Sequence, residues 1–178
     1  MTEFAKAYGG ALYALAQEEK LEDVMRDQLG DVCAILRKNP DYVRLIDSRN
    51  VPKAERVALL DEAFGGKLDG YLLNFMKLLC ERGAFGQLDA CADAYGAQYD
   101  ESHGIVPATA VSAKPLSEEQ QSRLIEALQR RTGKTIRLSV KVDPTLGGGM
   151  RVEMNGQRLD NTVAARMDRL KRALLAQS

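Results

Sequence analysis

The sequence contains three consecutive glycines, Gly147-Gly148-Gly149, whose backbone amides could bind phosphate. A phosphate-binding loop of this kind leads from a strand into a helix, and a Lys-Ser or Lys-Thr pair follows its last glycine. Here Met150-Arg151 stands in place of that pair, and alternating apolar residues predict a strand on each side of the glycines. We therefore interpret them as a flexible or bulged turn between two strands.

Cysteine and histidine can form a nucleophilic pair, and the chain has one histidine, His103, and three cysteines, Cys33, Cys80 and Cys91. Such a pair needs an orienting third group and an oxyanion site. Cys33 and Cys80 fall on the apolar stripes of predicted helices, where cysteine is usually a small core residue. His103 lies at a predicted helix C-terminus, where an imidazolium complements the helix dipole. Structural roles are therefore favoured, and four ligands at zinc spacing do not occur.

Adjacent carboxylates could perform acid–base catalysis, and three pairs occur: Glu18-Glu19, Glu22-Asp23 and Asp61-Glu62. Two such carboxylates take different roles only where their environments push the two pKa values apart, as when one is buried. The helical pattern places all three pairs on solvated faces. The sequence thus predicts exposed charge and no catalytic apparatus.

Basic side chains form two groups in the C-terminal part of the chain. They are Arg130, Arg131 and Lys134 on one predicted helix, and Arg166, Arg169, Lys171 and Arg172 on the last helix. Nucleic-acid binding usually adds aromatic platforms or a reading motif, yet no Phe, Tyr or Trp follows Tyr99. An acidic protein partner or plain solvation is favoured over nucleic acid.

The composition is that of a folded protein, because 45% of the 178 residues are hydrophobic and 28% are charged. Up to Gly104 there are 12 basic and 18 acidic residues, and from Ile105 onward there are 13 and 7, so net charges of −6 and +6 oppose each other. Opposed charge indicates two modules with different partners. We expect no secretory signal, no membrane span and, from three unpaired cysteines, a reducing cytoplasm.

Apolar residues recur at helical spacing throughout residues 1–104 and predict six short helices. Helix-breaking or helix-starting pairs separate several of them: Asn39-Pro40, Val51-Pro52, Gly65-Gly66 and Arg82-Gly83. Asp69 is predicted to cap the fifth helix, and the sixth is predicted to run from Phe85 to His103-Gly104. Short helices with one apolar stripe each are typical of an antiparallel bundle.

From Ile105 the period changes from helical to alternating. Ile105–Ala113 is predicted to be an edge strand, because Pro107 has no N–H to donate. Ser117–Gln120 is a capping box that begins a helix, and Ile136–Val142 is the clearest strand.

A hairpin turn and a last helix complete the pattern, at Asn155-Gly156 and after Asp160. These elements predict a small α/β domain over residues 105–178. The fold class is therefore α+β, with a six-helix antiparallel bundle over residues 1–104 in front of that domain.

Four stretches in order along the chain resemble a known family. They are Ala7–Ala16 (AYGGALYALA), Asn74–Gly83 (NFMKLLCERG), Ala113–Ser117 (AKPLS) and Ile136–Asn155, in which VDPTL precedes the glycines. The chain resembles the delta subunits of bacterial F-type ATP synthases, whose mitochondrial counterpart is the oligomycin-sensitivity-conferring protein. One departure from the family pattern is Gly9-Gly10, which replaces a helix-favouring pair and should cost the first helix about 1 kcal/mol per glycine.

The resemblance implies a non-catalytic stator subunit without a cofactor, peripheral to the cytoplasmic face of the bacterial cell membrane. Its N-terminal domain, residues 1–104, would bind N-terminal segments of the alpha subunits in a groove between the first and fifth helices. Matching the family motifs assigns five residues to that groove: Tyr8, Ala11, Leu15, Asn74 and Leu78. Stripes at helical spacing are more often core, so burial inside the bundle is the alternative for these five.

The C-terminal domain, residues 105–178, would meet the b subunits of the peripheral stalk. We assign that contact to the last helix, at Met167, Leu170 and Leu174 with Arg166 and Arg169 around them. A terminal helix can equally cover its own sheet, which is the alternative for this assignment.

Overall fold

The computed structural model describes residues 2–154 and 156–160 of the chain. It divides between Tyr99 and Asp100 into two compact units. Helices and a four-stranded sheet make the chain an α+β protein, as the sequence predicted. Within the described residues, no helix is both long enough and apolar enough to cross a bilayer.

Six α-helices and one 3-10 turn precede the first strand. They are α1 (Glu3–Glu19), α2 (Glu22–Lys38), α3 (Pro40–Asp47), α4 (Lys53–Phe64), α5 (Gly70–Glu81), the 3-10 turn Phe85–Gln87, and α6 (Leu88–Ser102). Local capping groups set several ends: the Thr2 side chain accepts from Ala5 N, and the Asp69 side chain, as predicted, accepts from Tyr71 N.

The sixth helix begins three residues later than predicted, because a distant carboxylate holds the backbone at Phe85 and Gly86. Asp47, the last residue of α3, accepts hydrogen bonds from Phe85 N at 2.8 Å and Gly86 N at 2.7 Å. These two amides are therefore bound by a side chain 38 or more residues away. The α-helix starts only at Leu88.

Helix α1 lies against the backbone of α6 at Gly9. A Cβ at this position would lie 2.4 Å from the Cys91 carbonyl oxygen and 2.8 Å from Ala94 Cβ, closer than real side chains pack. A Cβ on Gly10 would meet the Gln98 amide at 3.0 Å. The two glycines that the sequence marks only as a cost to α1 are therefore what lets it approach α6.

A buried arginine joins α3, α4 and α5. Arg56 of α4 is 8% exposed, and its Nη1 donates to the carbonyl oxygens of Ile46 at 2.8 Å and Cys80 at 3.1 Å. Both carbonyls lie in the last turns of their helices, where the helix dipole favours a cation. The sequence pattern gave no indication of this contact.

The second unit holds the strands and a seventh α-helix. They are β1 (Ile105–Ser112), α7 (Glu118–Thr132), β2 (Thr135–Val142), a 3-10 turn at Pro144–Leu146, β3 (Met150–Met154) and β4 (Gln157–Asp160). The sheet order is β2-β1-β3-β4, with β1 parallel to β2 and the other pairs antiparallel. The predicted capping box at Ser117 and Gln120 is confirmed, and Gly133 ends α7 in the left-handed conformation.

The prediction that β1 is an edge strand is wrong, because β1 lies between β2 and β3. Its pairing with β3 begins at Ala108, one residue after Pro107. The missing N–H of the proline therefore precedes the antiparallel ladder and does not interrupt it.

The core of the second unit lies between α7 and one face of the sheet. Its buried members are Val106, Ala108, Ala110, Leu128, Ile136 and Val152. An ion pair adds to this packing: the buried Asp100 carboxylate binds Arg137 of β2 through both guanidinium Nη atoms.

We expect Gly9→Ala to lower the free energy of unfolding by about 1–3 kcal/mol, because the added methyl overpacks the contact with α6. Gly30→Ala in α2 is the matched control, since a Cβ there meets nothing within 4 Å. The control should raise stability by up to about 1 kcal/mol. Urea unfolding of both variants measures the difference, and equal stability of Gly9→Ala and wild type would contradict the close approach.

Candidate functional site

The three cysteines are buried and free, in keeping with structural roles. Burial raises the pKa of the Cys33 thiol to about 12, and a hydrogen bond to the Asp89 carboxylate adds to the shift. Burial also raises the pKa of Cys80 and of Cys91. A nucleophilic cysteine needs a lowered pKa and access, so these thiols are not arranged for covalent catalysis.

The other candidate chemical groups do not assemble into a centre. His103 is exposed directly after α6, and the glycines Gly147-Gly148-Gly149, all at positive φ, lead into β3 as a connection between strands. In the ranges that the structure describes, no three His, Cys, Asp or Glu residues are placed to hold a metal ion.

The adjacent carboxylates are mostly exposed, as predicted, with Glu22 half-buried. Among them, Asp23 and Asp61 contact side chains of other helices. Asp23 accepts a hydrogen bond of 2.5 Å from the Tyr99 hydroxyl, and Asp61 forms an ion pair of 2.5 Å with Lys77 of α5. These two contacts link helices to one another. None of the three carboxylate pairs has a fully buried member, which carboxylate catalysis would require.

An open apolar groove of about 390 Å³ lies between α1 and α5. We call it the α1–α5 groove, and its lining residues are Ala7, Tyr8, Ala11, Leu12, Leu15, Tyr71, Asn74, Phe75 and Leu78. The structure thus brings together all five residues that the family motifs assigned to a partner site. No lining side chain is charged at neutral pH, and none is an imidazole or a thiol. The polar groups of the lining are the hydroxyls of Tyr8 and Tyr71 and the amide of Asn74, so the groove offers mainly apolar surface for binding.

The five assigned residues are not part of the buried core. Tyr8 and Leu15 are half-buried, whereas Ala11, Asn74 and Leu78 are exposed, Leu78 to 39%. The floor of the groove is formed instead by buried Leu12 and Phe75, which are 3% and 8% exposed. Partly exposed apolar side chains above a buried floor are available to a partner.

Sequence reasoning left four lining residues unassigned: Ala7, Leu12, Tyr71 and Phe75. The sequence contains a spacing pattern that could have identified most of them. Positions 8, 11, 12 and 15 on α1 and positions 71, 74, 75 and 78 on α5 repeat the same spacing, which places each set on one helix face. Applying that spacing to the assigned Asn74 and Leu78 identifies Tyr71 and Phe75.

Neighbouring contacts hold the two groove helices. On α1, the Tyr8 ring stacks on Phe4 with 4.1 Å between centroids. On α5, Asp69 N donates to Gln28 Oε1 of α2 at 2.8 Å. The nearby Glu19 carboxylate of α1 raises the pKa of the Tyr71 hydroxyl. These contacts help to position the side chains at the groove.

The residues assigned to the stalk contact lie outside the part of the chain that the structure describes. They are Arg166, Arg169, Met167, Leu170 and Leu174. Their role stays a prediction.

The fold and the groove define a class: a two-unit α+β protein with an open, uncharged groove between two helices. Within that class, the chain belongs to the ATP synthase delta (OSCP) subunit family, because the family model of that description matches residues 4–174.

Individual relatives are similar in sequence to this chain along nearly its whole length. The chain is 31% identical over 170 residues to ATP synthase subunit delta of Desulfitobacterium hafniense, covering 96% of this chain and 95% of the relative. It is 32% identical over 173 residues to the subunit of the same name from Lacticaseibacillus paracasei, covering 97% and 95%.

A solved structure shares the fold. A chain in the cryo-EM structure of the Toxoplasma gondii mitochondrial ATP synthase hexamer superposes with a TM-score of 0.73 and 28% sequence identity. The match covers 98% of each chain. The likeness therefore includes both units of the fold.

We expect the native thiols to react with an aromatic disulfide reagent at pH 8 at least roughly 100-fold more slowly than those of the urea-unfolded chain. With the pKa of Cys33 at about 12, its thiolate fraction at pH 8 is only about one in 10⁴. Absorbance of the released thiolate measures both rates, and the unfolded chain should release three equivalents. Rapid release from the folded chain would contradict the burial of these residues.

Proposed function

We propose that this chain is a non-catalytic stator subunit of the F1Fo ATP synthase. In this role it links the catalytic head to the membrane-anchored b subunits of the peripheral stalk, at the cytoplasmic face of the bacterial cell membrane. The head then cannot turn with the rotor, and rotation driven by proton flow is coupled to ATP synthesis. Residues 1–104 bind the head and residues 105–178 contact the stalk. The observation that carries the proposal is the α1–α5 groove in a chain of this family.

The groove suits the apolar face of an amphipathic helix. A helix buries side chains at spacings of three and four residues, and each wall of the groove presents its own residues at that spacing. Ala7 and Ala11 leave room for larger partner side chains, and Leu15 and Leu78 provide apolar surface beside them. We assign the N-terminal segment of an alpha subunit as the partner and Tyr8, Ala11, Leu15, Asn74 and Leu78 as its contacts.

Holding torque requires a contact that dissociates slowly. Differences in affinity between related complexes lie mainly in the dissociation rate, and a few well-packed anchors dominate the binding free energy. The apolar anchors on the groove walls should therefore matter more than charges at its margin.

The stalk contact is assigned to the basic C-terminal domain. Its last helix would present Met167, Leu170 and Leu174, with Arg166 and Arg169 beside them. A net charge of +6 from Ile105 onward favours an acidic surface on the b subunits.

The groove is tested with Leu78→Asp, which places a charge among apolar contacts and should weaken binding at least about tenfold. Tyr8→Ala should also weaken binding, by loss of an anchor. The ligand is a synthetic peptide of the alpha subunit N-terminus from the same genome, and calorimetry measures its Kd.

Leu45→Asp on α3 is the matched control for Leu78→Asp, because Leu45 is a leucine of similar exposure, 41%, outside the groove. The control should bind like wild type. Normal binding by Leu78→Asp, with its fold verified by circular dichroism, would show that the groove is misplaced.

The stalk contact should weaken as NaCl rises from about 20 to 150 mM, because the Debye length shortens to about 8 Å and screens attraction between the +6 domain and an acidic surface. Binding of the full chain to the soluble part of the b subunits measures this. Affinity that does not change with salt would contradict an electrostatic contact and indicate an apolar one.

A further inference from the structure

The α1–α5 groove continues at one end into a pair of carboxylates. Glu18 and Glu19 follow Leu15 by three and four residues, so they extend the groove-facing side of α1 by one turn. Both are exposed. The Glu19 carboxylate lies close enough to the hydroxyl of Tyr71 to raise its pKa, and because Tyr71 lines the groove, this carboxylate lies at the margin of the groove.

No basic residue of α1 offsets the negative charge of Glu18 and Glu19 at its C-terminal end. The last turn of α1 contains no basic residue, whereas α2 ends with Arg37-Lys38 and α7 with Arg130-Arg131. The C-terminal carbonyls of a helix carry roughly half a negative charge, which adds to the two carboxylates. Lys20, the C-cap, is the adjacent cation in sequence.

The N-terminal end of α1 and the C-terminal end of α5 differ from this acidic end. There, Lys6 pairs with Glu3 at 3.8 Å, Lys53 pairs with Glu81 at 3.0 Å, and Arg82 adds a positive charge. Among the described residues, no ion pair involves Glu18 or Glu19. The groove lining is therefore uncharged, and Glu3 and Glu81 are ion-paired whereas Glu18 and Glu19 are not among the ion pairs of the described residues.

We propose that Glu18 and Glu19 bind a basic residue of the docked helix and thereby set its register and direction. The occupant is an amphipathic helix with an apolar face and a lysine or arginine toward one end. An apolar stripe alone allows docking one turn out of register or in reverse, because similar side chains recur along it. A charge pair at one end removes that ambiguity by favouring one arrangement and leaving the others unpaired. This inference rests on the proposed function of the groove.

The test compares Glu18→Gln/Glu19→Gln with Glu55→Gln/Glu62→Gln in the full chain. The control residues are exposed on α4, outside the groove lining, and give the same change in net charge. The probe is the alpha subunit N-terminal peptide. We expect the first variant to bind about 5–10-fold more weakly at 20 mM NaCl and less than about twofold more weakly at 500 mM, while the control binds like wild type.

A series of peptides identifies the pairing group. Each lysine or arginine of the peptide is replaced in turn by glutamine, and one replacement should lose its effect in the Glu18→Gln/Glu19→Gln background. Removing acidic groups from a helix C-terminus does not weaken the helix, so an unfolding midpoint no lower than wild type verifies the fold.

Unchanged affinity of Glu18→Gln/Glu19→Gln at low salt, or equal weakening by the α4 control, would overturn the inference. If Leu78→Asp still abolishes binding in that case, the proposed groove stands and only its acidic end is wrong. If wild type does not bind the peptide, or Leu78→Asp binds normally, the proposed function of the groove itself fails.

Discussion

A side chain at position 9 would occupy space held by the Cys91 carbonyl oxygen of α6, at 2.4 Å from its Cβ, and α1 can lie where it does only because residue 9 is glycine. This contact sets the position of α1, and with it the side chains of Tyr8, Ala11 and Leu15 on the groove-facing side. Mid-helix glycine is normally unfavourable by about 1 kcal/mol. In α1 this cost in helix stability occurs at the position where the backbones of α1 and α6 approach closely. The position of α1, and therefore the groove, depends on that approach.

The second wall depends on a buried cation. Arg56 binds carbonyl groups near the ends of α3 and α5, and Asp61 on the same helix as Arg56 pairs with Lys77 of α5. These polar contacts join α5 to α4, and Arg56 also joins α4 to α3. Tyr71 and Leu78 of α5 line the groove and are each 39% exposed.

The two units have different physical characters. The first contains the uncharged groove and belongs to the acidic half of the sequence, while the second packs α7 on a mixed sheet in the basic half. Membership of the ATP synthase delta (OSCP) subunit family and the likeness to a chain of a mitochondrial ATP synthase extend across both. The proposed linking role would need two independent surfaces on one chain, and opposed charge is one way to keep their partners distinct.

The sequence by itself determined the α+β class, the caps at Asp69 and Ser117, and the family, because these depend on local periodicity and on residue identity at fixed spacing. Matching the family motifs in the sequence also assigned five residues that line one groove in the structure. Only the tertiary structure decided that Gly9 is a contact, that Asp47 delays the start of α6, and that β1 is an inner strand. Each of these depends on groups tens of residues apart in the chain. The residue pattern within a single helix or strand does not show which distant backbone group or carboxylate will contact it.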